Sequence, residues 1–176
     1  MIARLKGWLL GGSTPEPQTR VLMVCTGNIC RSPTAEGVLR HKLVQAGLGQ
    51  IVAVDSAGTQ GYHTSEPPDP RAVKAAARRG YDIGSIKARP IRPEDFTVFD
   101  WVLAMDRSHL EWLSRRAAAA PVRAGLLMAA ATRHAGIEEV PDPYYGGPEG
   151  FERVLDLIED ACDGVVARLR AGEPLL

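Results

Sequence analysis

Short apolar runs and longer amphipathic stretches take turns along this chain. Val-Leu-Met-Val at 21–24 is an unbroken apolar run that predicts a buried strand, as do Ile-Val-Ala-Val at 51–54 and Trp-Val-Leu-Ala-Met at 101–105. Pro33 followed by Ala35, Val38, Leu39 and Leu43 has helical spacing and predicts a helix start. Further helices are expected over 70–79, closed by Gly80, and over 107–114. A long one is expected over 149–168, with Phe151, Val154, Leu155, Ile158, Val165, Val166 and Leu169 on one face. Residues 122–128 are read as a fourth strand despite their alanine-rich neighbours. Strands alternating with helices imply parallel pairing, so the fold class is α/β: one three-layer domain, about four parallel strands in a twisted sheet, helices on both faces. In such sheets ligands bind at the carboxyl ends of the strands, near a topological switch. The loop after the first strand is in that place.

That loop and its surroundings read Cys25-Thr26-Gly27-Asn28-Ile29-Cys30-Arg31-Ser32. A helix N-terminus with unpaired N–H groups favours an anion, and successive inward-pointing amides add a nest for phosphate oxygens. Thr26, Gly27, Asn28, Ile29, Cys30 and Ser32 are therefore the expected phosphate cradle. The same donors favour a thiolate at Cys25; a free thiol ionises near pH ~8.5, and helix N-termini and cations lower that to roughly 3.5–7.5. Arg31 offers a planar fork for two phosphoryl oxygens at once. The Ser32 hydroxyl can bond the Cys25 sulfur and help it leave. Gly27 permits close backbone approach, and Asn28 tolerates positive φ. A lone cysteine would be read as an inert core residue. The whole octet between a strand and a helix is not, and no Gly-x-x-x-x-Gly-Lys-Ser/Thr nucleotide loop occurs.

A nucleophile of this kind needs a proton donor for the leaving oxygen. Val140-Pro141-Asp142-Pro143-Tyr144-Tyr145 sets one carboxylate between two prolines that stiffen its loop. Asp142 would act as acid in a first step and as base toward water in a second, help typically worth ~10²–10⁴-fold. Alone, the segment would read as a surface turn.

Taken together, the segments 24–36, Asp55-Ser56-Ala57-Gly58-Thr59, Lys87-Ala88-Arg89, Leu103-Ala104-Met105-Asp106 and Asp142-Pro143-Tyr144-Tyr145 resemble the bacterial low-molecular-weight protein tyrosine phosphatases, from about Arg20 to the last helix. The resemblance implies the phosphotyrosine phosphatase I-like fold and hydrolysis of phosphotyrosine through a phosphocysteine, with no cofactor. It implies Cys25 as nucleophile, Arg31 as clamp, Ser32 as thiolate partner and Asp142 as acid and base. Asn28 and Ser56 would belong to a network supporting the loop, and Tyr62, Tyr144 and Tyr145 would wall the substrate pocket. It also implies a reversible Cys25–Cys30 bridge that protects the nucleophile; a small packed side chain is the other reading of Cys30. This chain departs from the family pattern at Ile86, where a histidine joined to the supporting network is usual, and water, another polar group or a looser loop is expected instead. Thr26 and Tyr62 depart too, replacing a larger apolar residue and a tryptophan.

Expected partners are a phosphotyrosine-containing protein or a small aryl phosphate. A protein-arginine phosphatase is the nearest rival: the resemblance associates threonine at position 29 with those enzymes, whereas this chain has Ile29 and the tyrosine pair. Arsenate reduction needs a cysteine relay, and 81–92 contains no cysteine. A phosphate-binding module without turnover would have no use for nucleophile, clamp and acid together.

Composition narrows the classes further. The 176 residues carry 21 Lys+Arg and 21 Asp+Glu, so no basic excess points to nucleic acid. No run approaches the ~18 apolar residues of a membrane span, and Trp8-Leu9-Leu10 is shorter than a signal-peptide core of about 7–15. Three cysteines give no disulfide framework and fit a reducing compartment, so a cytoplasmic location is expected. Cys162 is read as core filler. His41, His63, His109 and His134 lack metal-ligand spacing, so no metal site is expected, and His63 is read as a solvated loop residue. The domain is taken to run over 20–176. Residues 1–19 form an extension whose 11–17 stretch has linker chemistry; Ile2, Leu5, Trp8 and Leu9 before it can form a short amphipathic helix that docks, pairs weakly with another copy or touches a membrane surface. A frayed terminus explains them equally well.

Overall fold

The computed structural model describes residues 16–117 and 120–176; the expectation of an N-terminal amphipathic helix lies outside them. The run at 21–24 is the middle of β1 (Thr19–Cys25), whose side chains alternate between two cores. Val21, Met23 and Cys25 face one, Leu22 and Val24 the other. That two-sided burial explains why β1 reads as unbroken apolar sequence. With β2 (Val52–Gly58), β3 (Trp101–Ala104) and β4 (Arg123–Leu126) it forms a four-stranded sheet of order β2-β1-β3-β4, parallel throughout.

The first core is covered by α1 (Arg31–Gln45), α2 (Pro70–Arg78) and α5 (Pro148–Ala171); a single turn, α3 (Asp95–Val98), and α4 (Arg107–Arg116) cover the second. In α5, Leu155, Leu157 and Ile158 are fully buried, each worth about 1.5–3 kcal/mol over exposure. Four residues are too few for a periodic signal, so α3 is not legible in the sequence. The fourth strand is shorter than the expected 122–128. Its partner β3 ends at Ala104, paired with Leu126, and Leu127–Ala130 turns instead into a 3-10 segment whose Leu127 and Met128 enter the first core.

Three features bring the site together. The strand order reverses direction at β1, which has β2 on one side and β3 on the other, so the loop after Cys25 opens at the switch point. Gly58, at the end of β2, comes so close to that loop that a Cβ would sit 2.6 Å from the Thr26 carbonyl oxygen, and only glycine fits. Beyond β3, Met105 N donates to Val24 O at 3.0 Å and Val140 N to Met105 O at 2.8 Å, so the segment carrying Asp142 hangs from the sheet beside the loop.

Candidate active site

Asn28 organises the loop. Its backbone is left-handed, φ 57°, which asparagine tolerates, and its side chain is fully buried. The Arg89 main-chain N–H donates to Asn28 Oδ1 at 3.0 Å, which fixes the amide so that Nδ2 faces Ser32 Oγ at 2.9 Å and Ser56 Oγ at 2.8 Å. Both serine oxygens accept, so their hydrogens point elsewhere. The Ser56 hydroxyl donates to Glu36 Oε2 at 2.5 Å. The Ser32 hydroxyl is left to donate to Cys25 Sγ, 3.0 Å away. A chain of donors therefore ends on the sulfur of a cysteine that is 3% exposed.

Glu36 extends the network beyond Ser56, while Ile86, at the position where the family pattern has histidine, packs against the first core. Ser32, Glu36 and Arg40 follow one another at i+4 on α1. The Arg40 guanidinium holds Glu36 Oε1 at 2.7 Å and the Val54 carbonyl at 2.7 Å. Burial pushes the Glu36 carboxyl above the usual carboxylate range, opposed by the Ser56 hydroxyl and then by Arg40.

Arg31 opens α1 and is almost wholly buried. Its Nη1 donates to Asp106 Oδ2 at 2.7 Å and to Val140 O at 3.1 Å, and its Nη2 to Asp142 Oδ2 at 3.2 Å. Asp106 is also the N-cap of α4, accepting from His109 N. Burial raises the Asp106 carboxyl, yet the Ser108 hydroxyl, His109 and Arg31 together hold it below its ordinary range. The guanidinium is thus anchored by an ionised carboxylate behind it and faces the cleft in front.

The cleft encloses about 290 Å³, with Cys25, Gly27, Ile29 and Arg31 at its base and Asp142, Tyr62, Tyr144 and Tyr145 around its mouth. Tyr144 and Tyr145 meet edge to face, centroids 4.9 Å apart. All the site residues singled out in the sequence converge here: Thr26 and Cys30 also line the cleft, and Ser32, Asn28 and Ser56 form the shell beneath it. Cys25, Cys30 and Cys162 are free thiols, and no cluster of metal-binding side chains occurs among the described residues.

Some residues of the site carry no local signal. His63, read as a solvated loop residue, lies across Gly27 at the mouth, its Nδ1 2.7 Å from Glu66 Oε2. His109 is buried behind the loop with Nε2 2.8 Å from Thr26 Oγ1. Arg71 donates to the Tyr144 carbonyl at 2.9 Å, stacks beneath the Tyr144 ring and pairs with Asp69. Arg89 bridges Asp55 and Asp95. The basic residues at 71 and 89 and the histidine at 109 would have needed the fold to be found, because the partners that tie them to the site are 34 to 83 positions away, apart from the short-range pairs with Asp69, Asp95 and Asp106.

Comparison with known proteins agrees with this geometry. The model of the family described as low molecular weight phosphotyrosine protein phosphatase matches residues 20–174. A low molecular weight protein-tyrosine-phosphatase of Streptomyces coelicolor is 46% identical, covering 86% of this chain and 93% of that protein. A protein tyrosine phosphatase structure from Entamoeba histolytica superposes with a TM-score of 0.83 at 39% identity, covering 88% and 98% of the two chains. The drosophila arginine phosphatase DARP superposes with a TM-score of 0.80 at 32% identity, covering 85% and 97%. With this much of its length matched, around a loop of this construction, the chain belongs to the low molecular weight phosphotyrosine protein phosphatase family.

Proposed function

We propose that this protein hydrolyses phosphotyrosine in proteins, and small aryl phosphates, through a phosphocysteine intermediate. One observation carries the reading: the Cys25 sulfur receives the Ser32 hydroxyl at the floor of a cleft that also holds the Arg31 fork, with the Asp142 carboxylate at its mouth. In the first step the thiolate attacks phosphorus, the bond to the phenolic oxygen breaks, and protonated Asp142 gives that oxygen its proton. Arg31 and the loop amides hold the equatorial oxygens as charge redistributes. In the second, water attacks phosphorus, Asp142 takes its proton, and the S–P bond breaks with the Ser32 hydroxyl stabilising the departing sulfur. The entering phosphate competes with Asp142 for Arg31 Nη2, so arrival of substrate frees the acid.

The aromatic mouth favours a flat phenyl ester through apolar contact and edge-to-face packing. Ile29 adds an apolar wall where a phosphoarginine would want a polar partner for its guanidinium. Side-by-side turnover of phosphotyrosine, phosphoarginine and phosphoserine peptides tests the choice. Phosphotyrosine is expected to lead; a lead for phosphoarginine would overturn the substrate class and leave the phosphocysteine chemistry standing, whereas no turnover of any would refute both.

Cys30 is assigned the resolving role. Peroxide converts Cys25 to a sulfenic acid, and the Cys30 sulfur then displaces hydroxide, released as water, to form the disulfide. Burial first, then Asp69, push the Cys30 thiol up to about 12, so closure is slow at neutral pH. In Cys30→Ser, excess peroxide should carry the unbridged sulfenic acid on to the irreversible sulfinic acid, so recovery by a dithiol should be lost; equal recovery would remove the role.

A further inference from the structure

The chemistry above leaves a buried histidine behind the loop without a task. The His109 side chain is 2% exposed. Its Nε2 lies 2.8 Å from Thr26 Oγ1, on the residue that follows the nucleophile. Its Nδ1 lies 3.1 Å from Asp106 Oδ1, out of line for a good hydrogen bond and with no other partner among the described residues. Asp106 in turn holds Arg31 Nη1 at 2.7 Å. The three contacts form a circuit that leaves the phosphate loop at Thr26 and rejoins it at the clamp.

The geometry also says where the ring proton sits. A bare Nδ1 would point its lone pair at a carboxylate oxygen, a repulsion that the buried setting strengthens. A proton on Nδ1 makes the same contact attractive even when bent, and leaves Nε2 to accept. Thr26 therefore donates. Burial pushes His109 down to about 4, against the pull of Asp106, so the ring is neutral near pH 7. The Thr26 carbonyl is held as well, by Gln60 N at 3.0 Å, so neither polar end of this residue is free to turn.

We propose that neutral His109 is a positioning residue for phosphoryl transfer: by fixing Thr26 on one side and Asp106 on the other, it keeps the start of the loop and the Arg31 fork in register as phosphorus becomes five-coordinate. The inference rests on the phosphatase reading above. It differs from a packing role in what it predicts for two anions. Inorganic phosphate reports ground-state binding, whereas vanadate, which becomes five-coordinate on a cysteine sulfur, reports the geometry of the transition state.

His109→Leu and Thr26→Val are each expected to weaken vanadate binding about tenfold while phosphate changes less than about threefold, and to lower kcat with KM nearly constant. His109→Gln, whose amide oxygen can accept from Thr26, should stay within about threefold of wild type for vanadate. The double variant His109→Leu/Thr26→Val should be no worse than the weaker single, because both changes cut one contact. Thr26→Val alters an exposed, near-isosteric side chain, so it decides the question even if His109→Leu does not fold. Parallel losses for phosphate and vanadate, additive losses in the double variant, or a lowered melting temperature with the vanadate-to-phosphate ratio unchanged would each overturn the proposal. The binding ratio is measured by calorimetry without turnover. A wild type that hydrolyses no aryl phosphate would sink the phosphatase reading alone, and the ratio would still decide the role of His109 in shaping the loop.

Discussion

The Arg31 side chain is 4% exposed, whereas that of Asp142, its partner 3.2 Å away, is 51% exposed. The same contrast holds for the hydrogen-bonded shell behind the clamp and the tyrosines beside the acid. On the loop side, Asn28, Ser32 and Ser56 are buried and each hydrogen bond fixes the direction of the next. On the acid side, Asp142 is joined to Arg31 and to the main-chain N–H of Tyr144, and Tyr145 is 95% exposed. The phosphate end is common to every substrate, so rigidity there serves all of them. The acid end meets the variable part of the substrate, and a wet, lightly tethered loop can adapt to it.

The most severe test of this division is on the buried side. Cys25→Ser should abolish turnover while retaining phosphate binding, since the donors around the sulfur remain. Arg31→Lys should cost about 10³-fold in kcat, because a point charge cannot grip two equatorial oxygens and leaves Asp106 and the Val140 carbonyl poorly paired. Steady-state kinetics on an aryl phosphate would show it, and a loss below about tenfold would mean the fork is not the clamp.

On the exposed side, Asp142→Ala should cost about 10²-fold for phosphotyrosine, the low end of general acid effects, because water can reach a half-exposed position. For aryl esters with acidic phenols, which leave without a proton, the loss should be several-fold at most. Equal losses across leaving groups would remove Asp142 from the acid role.

The same asymmetry governs what the sequence discloses. The cup is legible because eight consecutive residues, between an apolar run and a helix start, hold its nucleophile, clamp and thiolate partner. Its second layer is only half legible. Ser32, Glu36 and Arg40 share one face of α1 at i+4, a pattern that could have identified Glu36 as a further member of the network. His109 could not be found that way, since its bond to Thr26 spans 83 positions and exists only because β3 lies beside β1. The strand end at Leu126 is invisible for a related reason: the apolar run continues to Met128, and what stops the ladder is the length of its neighbour.

His109 gives the buried side an acid sensitivity of its own. Burial first, helped by the Arg31 charge, holds the ring down to about 4, below the ordinary histidine value of 6.5, against the pull of Asp106, Asp142 and Glu139. Between those two values the unfolded chain takes up a proton that the folded one refuses. Stability should therefore fall as pH drops through this window, by up to about 1.4 kcal/mol per pH unit for one proton, with no further loss from this group below it. Melting curves of wild type and His109→Gln should converge as pH falls from 6.5 to 4; parallel curves would show that the ring titrates normally.

The smallest effect belongs to Arg71, and it bears most directly on how lightly the acid loop is tied. Asp69 N donates to Ile29 O at 2.8 Å, which pins the start of α2 to the phosphate loop. The Asp69 carboxylate, lowered first by its hydrogen bond from Arg71, orients that guanidinium toward the Tyr144 carbonyl and under the Tyr144 ring. Arg71 is thus a strut between the two halves of the site, working through one neutral carbonyl and one ring face. A hydrogen bond of that kind is worth about 1 kcal/mol, so Arg71→Ala should lower kcat/KM for a phosphotyrosine peptide by about three- to tenfold. If the strut serves the acid loop alone, phosphate inhibition should be unchanged and the deficit should shrink for esters with acidic phenols, as for Asp142→Ala. A matching loss of phosphate affinity would place Arg71 with the rigid half instead, and the boundary between the two regions would move to the far side of α2.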